Sequence, residues 1–334
     1  MSLTYRKAGV NISVGEEVVQ KIKGKVRSSF TRNVLTDIGS FGAFYRASFP
    51  GIKDPVLVSS VDGVGTKLMI ASALKTYDTV GQDLVNHCVN DIAVCGATPL
   101  YFMDYFATGK LSVNTAKRII GGFVKACRQN SCSLIGGETA EMPGIYRGGD
   151  FDLAGMIVGV VERRKIIDGR NIRAGDILLG LPSTGLHTNG YSLARKVFIP
   201  RFSLHEYRSE LRTTIGKALL AVHRSYLTPI RVLLARQLVR GMSHVTGGGI
   251  VGNTMRVVPE GLRLAVDWRA WRRPPLFTLI QELGKVPEED MRRTFNLGIG
   301  MVFIVSSSKA AETSRRLRSL GERPVVVGEV ERVS

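Results

Sequence analysis

The chain of 334 residues carries 46 Lys and Arg against 28 Asp and Glu, a formal net charge of +18. With 44% hydrophobic and 22% charged residues and only 12 prolines, it has the apolar content of a folded chain and not of a disordered one. At roughly 150 residues per domain the length predicts two domains, and the longest apolar run, Leu153 to Val161, falls short of the ~20 residues of a membrane span.

The N-terminus lacks the continuous apolar stretch of a signal peptide, so the expected setting is cytoplasmic, with no membrane partner. The cysteines, Cys88, Cys95, Cys127 and Cys132, form no Cys-x-x-Cys pair and read as reduced, mostly buried thiols. The positive charge is uneven: residues 1–168 hold 20 basic and 15 acidic side chains, residues 169–334 hold 26 and 13, and 22 of those 26 are Arg. A nucleic-acid surface is one reading of that excess. The dispersal as pairs such as Arg272-Arg273, Arg292-Arg293 and Arg315-Arg316 favours a solvated basic face, so no nucleic-acid partner is expected.

In chain order, Val56 to Val61 reads as a strand and Lys67 to Lys75 as a short helix. Thr79 with Gln82 has a capping-box pattern ahead of a helix running to Cys95, stopped by Gly96 and Pro99. Tyr101 to Phe106 reads as a strand. Ala116, Ile119, Ile120, Phe123, Val124 and Cys127 recur at helical spacing on one face. Leu153 to Val161, β-branched and apolar on both sides, predicts a buried strand. Arg163 to Asp176 is the boundary segment, after which strands are expected at Ile177 to Leu181, Ile299 to Val305 and Val325 to Val330, and helices near Tyr191 to Val197 and Tyr226 to Val239.

The chemistry-bearing residues cluster at glycine-rich junctions. Asp62-Gly63-Val64-Gly65-Thr66-Lys67 follows a strand; its glycines allow close backbone approach to an anion, Lys67 offers charge and Asp62 a Mg²⁺ ligand. It is neither a P-loop nor a dinucleotide fingerprint, and alone such a loop is more often a plain turn. Asp83, Asn86 and Asn90 line one helix face with oxygen ligands, flanked by Asp91. Asp104 lies in the next strand, and Gly136-Gly137-Glu138 through Glu141 to Gly144 adds two carboxylates in a glycine-rich bend. Asp62, Asp91, Asp104, Glu138 and Glu141 thus make an oxygen-rich set suited to Mg²⁺ and polyphosphate. Asp83, His87 and Asp91 also stand at zinc-like spacing, a weaker reading without a second histidine nearby. His187 beside Asn189 is placed to bind substrate or shuttle a proton. Gly247, Gly248 and Gly249 form a further anion-facing loop, and Lys21, Lys23 and Lys25 precede a glycine-rich flap at Gly39 to Gly42.

Together these segments resemble the phosphoribosylformylglycinamidine cyclo-ligase family, the aminoimidazole ribonucleotide synthetases of purine biosynthesis. The resemblance runs through Tyr5 to Ile12, Asp62 to Lys67, Gly81 to Asp91, Gly136 to Gly144, His187 to Ser192, Thr246 to Gly249 and Arg293 to Asn296, nearly the whole chain. Departures are Asn11 in place of a common Asp, a flap less dense in glycine, and Thr188 where Ser is usual.

The resemblance implies an α+β fold of two domains: residues 1–165 binding ATP and forming a barrel with a second copy in a homodimer, and residues 170–334 forming a C-terminal α+β domain. It implies ATP-dependent cyclisation of formylglycinamidine ribonucleotide, with ATP and Mg²⁺ required. Asp62, Asp91, His187 and Lys23 would be catalytic. Gly63, Gly65, Thr66, Lys67, Asn90, Gly136, Gly137 and Glu138 would bind nucleotide; His187, Asn189, Glu141, Gly247 and Gly248 would bind substrate; Asp62, Asp91 and Asp104 would hold metal. Alternatives are a selenophosphate synthetase or thiamine-phosphate kinase of the same fold, or a basic RNA-binding protein.

Overall fold

The computed structural model describes residues 4–333. The chain forms two compact units: one holds the described residues up to Ile92 with Ala97–Arg163, the other Ala93–Gly96 with the chain from Arg164 onward.

The first unit contains α1 (Ile12–Arg27), β1 (Pro55–Gly63), α2 (Lys67–Ala73), α3 (Asp78–Ala93), β2 (Thr98–Thr108), α4 (Val113–Gln129), β3 (Ser133–Glu141) and β4 (Phe151–Glu162). Its sheet has the order β1-β4-β2-β3. β4 runs antiparallel to both β1 and β2, whereas β2 and β3 are parallel and joined through α4, the crossover that parallel neighbours require. α4 is capped by Ser112, whose hydroxyl accepts from the Thr115 N–H, and buries Ala116, Ile119, Ile120, Phe123 and Cys127, the stripe its spacing predicts. α3 crosses it at a glycine contact: a Cβ on Gly81 would run into the Ile119 carbonyl, and one on Gly122 into the Asp78 carbonyl. That close approach fixes the helix from which Asp83, His87 and Asp91 project.

Two expectations are corrected here. α3 begins at Asp78, and the Gln82 amide reaches back to the Asp78 carbonyl (3.0 Å) in place of a capping box at Thr79. The segment from Gly136 to Glu141 is strand, not bend: paired to β2, it uses Gly137 to leave room for the Asp104 carboxyl, which a Cβ there would strike. α1, unpredicted, buries Val18, Ile22 and Val26 against α4 and β3.

The second unit contains β5 (Ile177–Pro182), α5 (Tyr191–Phe198), the two-stranded ribbon β6 (Tyr207–Arg208) and β7 (Thr213–Thr214), α6 (Ile215–Leu219), α7 (Leu227–Ala235), β8 (Gly241–His244), α8 (Gly249–Thr254), β9 (Leu262–Val266), α9 (Pro275–Gly284), α10 (Glu288–Thr294), β10 (Ile299–Val305), α11 (Ser307–Ser319) and β11 (Val325–Arg332). Its main sheet is antiparallel throughout, in the order β8-β10-β5-β11-β9. β10, between β8 and β5, is buried at every residue. α7 ends short of the predicted Val239 because Gln237 takes up a left-handed conformation.

Candidate active site

In the first unit, β1 delivers Asp62 to its C-terminal end and α3 presents His87 and Asp91 one turn apart. The His87 Nε2 lies 2.8 Å from Asp62 Oδ2 and 3.5 Å from Asp91 Oδ2, and the Ser60 hydroxyl is 3.3 Å from the same Asp91 oxygen. The other Asp62 oxygen accepts from the Gly63 N–H (2.6 Å). His87 is buried, which by itself lowers an imidazole pKa; the two carboxylates outweigh that and hold it above its ordinary value. Asp62 and Asp91 are therefore brought to a common point. His87, named in the sequence only as a weak zinc ligand, is what joins them; the signal was its place one turn before Asp91.

The face of α3 expected to carry oxygen ligands turns inward instead. Asp83 and Asn90 are fully buried, and Asn86 accepts from the Asn130 amide (2.9 Å). Lys67 differs from its expected role as an open phosphate contact: its Nζ is 2.8 Å from Asp83 Oδ2, with neither side chain exposed. Burial pushes the Lys67 ammonium below its usual pKa, and Asp83 opposes that. Gly63, Gly65 and Thr66 stay at or near the surface above this pair, Gly65 in a left-handed conformation at φ 67°.

A second cluster of expected residues lines a cavity of about 380 Å³ bounded by α1, the flap at Asp37 to Ala43, Asp104 and the stretch Gly136, Gly137, Glu138 and Thr139. That volume lies within the range of small-molecule sites. Burial, with the Glu138 charge adding, pushes the Asp104 carboxyl up to about 7, which weakens it as a ligand for a cation at neutral pH. Asp62 and Asp104 both pair with Gly155 of β4, which puts them on one face but two strands apart, roughly 10 Å at ordinary strand spacing. Oxygens sharing one Mg²⁺ lie only about 4 Å apart or less.

Lys23 of α1 points to the flap, 2.9 Å from Asp37, which Arg27 also pairs. Arg27 and Lys23 hold the Asp37 carboxyl well below the usual carboxylate range. Glu141 accepts from the backbone N–H groups of Asn11 (2.7 Å) and Leu111 (2.8 Å), so both its oxygens fasten backbone.

In the second unit, Asn189 and Gly247 are neighbours: a Cβ on Gly247 would meet the Asn189 Oδ1 at 3.1 Å. Gly247 and Gly248 are exposed and Asn189 is half-buried. The glycine loop is held from below by Asn253, whose amide donates to the carbonyls of Thr246, Gly247 and Gly249. Asn296 secures the facing turn, donating to the Gly185 carbonyl and accepting from the Ser183 hydroxyl. Asn253 passed unnoticed because a lone amide four residues past a glycine run has no motif. His187 differs from its expected role at an open site: its ring has no exposed surface and stacks on His223.

Residues 48–161 match the family described as AIR synthase related protein, N-terminal domain, and residues 173–334 its C-terminal domain. The chain is 47% identical over 332 residues to a protein of Carboxydothermus hydrogenoformans named phosphoribosylformylglycinamidine cyclo-ligase, covering 98% of this chain and 96% of that one. It is 48% identical over 335 residues to one of the same name from Sorangium cellulosum, covering 99% and 96%. Among solved structures it resembles thiamine-monophosphate kinase from Stenotrophomonas maltophilia (TM-score 0.68, 16% identity, 94% of each chain). It also resembles the hydrogenase maturation protein HypE in complex with ATP (TM-score 0.68, 17% identity, 98% of this chain and 88% of that one). Those two likenesses speak to the fold, whereas the near-full-length identities settle the lineage: the chain belongs to the phosphoribosylformylglycinamidine cyclo-ligase family, within the AIR synthase related proteins.

Proposed function

We propose that this protein catalyses ATP-dependent ring closure of formylglycinamidine ribonucleotide to aminoimidazole ribonucleotide, releasing ADP and phosphate. The observation that carries the reading is identity of 46–48% across nearly the whole chain with proteins named for that activity.

In this chemistry the formyl amide oxygen attacks the γ-phosphorus and ADP leaves. The amidine nitrogen then adds to the activated carbon, the carbon–oxygen bond breaks with phosphate as leaving group, and loss of a proton completes the imidazole. Phosphoryl transfer depends mainly on positioning and charge neutralisation. The donor set of Asp62 and Asp91, hard oxygens held around one point with the Ser60 hydroxyl adjacent, fits Mg²⁺. Those two carboxylates would hold the ion, which when bound neutralises charge on the γ-phosphoryl oxygens. Lys23, at the flap, approaches the triphosphate on exchanging Asp37 for phosphate. Gly63, Gly65 and Thr66 supply backbone N–H groups, and Gly136, Gly137, Glu138 and Asp104 line the cavity that takes the rest of the nucleotide. Lys67 acts by holding Asp83 and the start of α2. Asn189, Gly247 and Gly248 bind the ribonucleotide.

The same reading assigns nucleotide binding and dimerisation to residues 1–165 and a C-terminal α+β domain to residues 170–334, in a cytoplasmic homodimer. The uncovered face of the first sheet, with Leu57 61% and Val61 67% exposed, supports a barrel closed by a second copy. The test is phosphate release: the protein with ATP and Mg²⁺ should release phosphate only when formylglycinamidine ribonucleotide is added. Absence of turnover at any substrate concentration refutes the assignment.

A further inference from the structure

Three of the chain's five histidines, His187, His223 and His244, meet in the interior of the second unit, none more than 5% exposed. They arrive from separate segments: the turn after β5, the link between α6 and α7, and the last residue of β8. The rings of His187 and His223 are stacked, 3.9 Å between centroids at 14°. The Nε2 atoms of His223 and His244 lie 2.9 Å apart, and the His223 Nδ1 is 3.4 Å from the Thr188 hydroxyl. The Thr184 N–H donates to the His187 Nε2 at 3.2 Å.

Three imidazoles suggest a transition metal, but the arrangement opposes one. A coordinated ion lies in the plane of each ring that binds it, and two rings stacked face to face have no such point in common. The His187 Nε2 already accepts a backbone N–H, which in a neutral imidazole leaves the proton on Nδ1; neither nitrogen then offers a lone pair to an ion.

The connectivity points elsewhere. His187 is two residues before Asn189, and His244 three residues before Gly247. His223 stacks on the first and bonds to the second. His187 is also held at φ 62°, a left-handed conformation uncommon for a non-glycine residue and kept only where the surroundings demand it.

We propose that His187, His223 and His244 form a buried brace that sets the spacing between the Asn189 turn and the Gly247–Gly248 loop, acting on the ribonucleotide through those loops and not by touching it. All three are positioning residues. The inference rests on the reading of these loops as the substrate side.

The test uses the full chain and steady-state kinetics. His223→Leu removes both the stacking ring and the bond to His244; His223→Gln restores a polar end for His244. The brace predicts that His223→Leu raises the KM for formylglycinamidine ribonucleotide about tenfold or more, that the KM for ATP stays within twofold, and that His223→Gln recovers most of the loss. Equal change in both KM values, or no change in either, in a folded His223→Leu protein overturns it. If His223→Leu does not fold, the imidazole ¹⁵N spectrum of the parent decides: His187 protonated on Nδ1 supports the brace, protonation on Nε2 overturns it. Stoichiometric zinc in the purified parent that disappears in His223→Gln also overturns it. A parent protein without cyclo-ligase turnover is a different failure, that of the activity assignment itself.

Discussion

Asp62 and Lys67 stand five residues apart, at the end of β1 and the start of α2 on either side of a glycine-containing turn, and answer to different physics. Asp62 is 39% exposed at its side chain and faces His87. Replacing it with Asn removes charge without opening the interior, so Asp62→Asn should lower kcat at least about 100-fold, the scale of losing one electrostatic contact to a transferring group, with Tm nearly unchanged. A variant with parental kcat would remove Asp62 from the site. Lys67 sits in a buried ion pair. Lys67→Ala leaves Asp83 as an uncompensated buried charge, expected to cost about 3–5 kcal/mol in urea unfolding, whereas the double change Lys67→Met with Asp83→Leu should cost much less. Equal losses would mean that the cost of losing Lys67 does not come from stranding the Asp83 charge. The sequence named both residues, because a lysine and an aspartate beside glycines advertise themselves. It did not separate them, because burial of Lys67 depends on α3 arriving over the loop, a long-range event with no local signature.

Among the elements, α4 was legible from its apolar stripe, since a single helix face against a sheet imposes a 3.6-residue period. β3 was not: Gly136 and Gly137 erase the alternation that marks a strand, and the strand exists because β2 pairs with it. The crossing of α3 and α4 gives a test with an unusual sign. Ala for Gly inside a helix normally stabilises by about 1 kcal/mol, yet Gly122→Ala should destabilise by about 1–3 kcal/mol because the new methyl meets the Asp78 backbone; stabilisation would show that the helices sit further apart. In the second unit, Glu288 at the start of α10 joins Arg273, Gln281 and Arg292. Arg273 foremost, with Gln281 and Arg292, holds its carboxyl down to about 2 from an ordinary 4.5. A depressed carboxylate stabilises the fold above its unfolded pKa and loses that contribution as pH falls through its folded one. Glu288→Gln should therefore lower Tm at pH 7, with the gap to the parent narrowing between pH 4.5 and pH 2. A gap independent of pH would point to packing alone.

For the whole molecule, the net charge of +18 first suggests a polyanion partner. In the structure several arginines pair locally, as Arg224 does with Glu322, Arg240 with Asp176 and Arg263 with Glu331, and the positive charge is dispersed along the chain and not gathered in one run, which leaves the total a weak guide to function. The two-unit organisation was readable from the restart of strand and helix alternation after Arg163, whereas the uncovered sheet face was not, since Leu57 and Val61 in sequence look like any half-buried strand. If that face closes a dimer, Leu57→Glu with Val61→Glu should yield a folded monomer by sedimentation; an unchanged mass, or a monomeric parent, would refute the barrel. The measurement that bears most directly on the reaction follows one oxygen atom. With formylglycinamidine ribonucleotide labelled with ¹⁸O at the formyl group, activation of that oxygen by ATP requires each phosphate released to carry one ¹⁸O, in step with aminoimidazole ribonucleotide formed. Unlabelled phosphate, or phosphate released without ring formation, would contradict it.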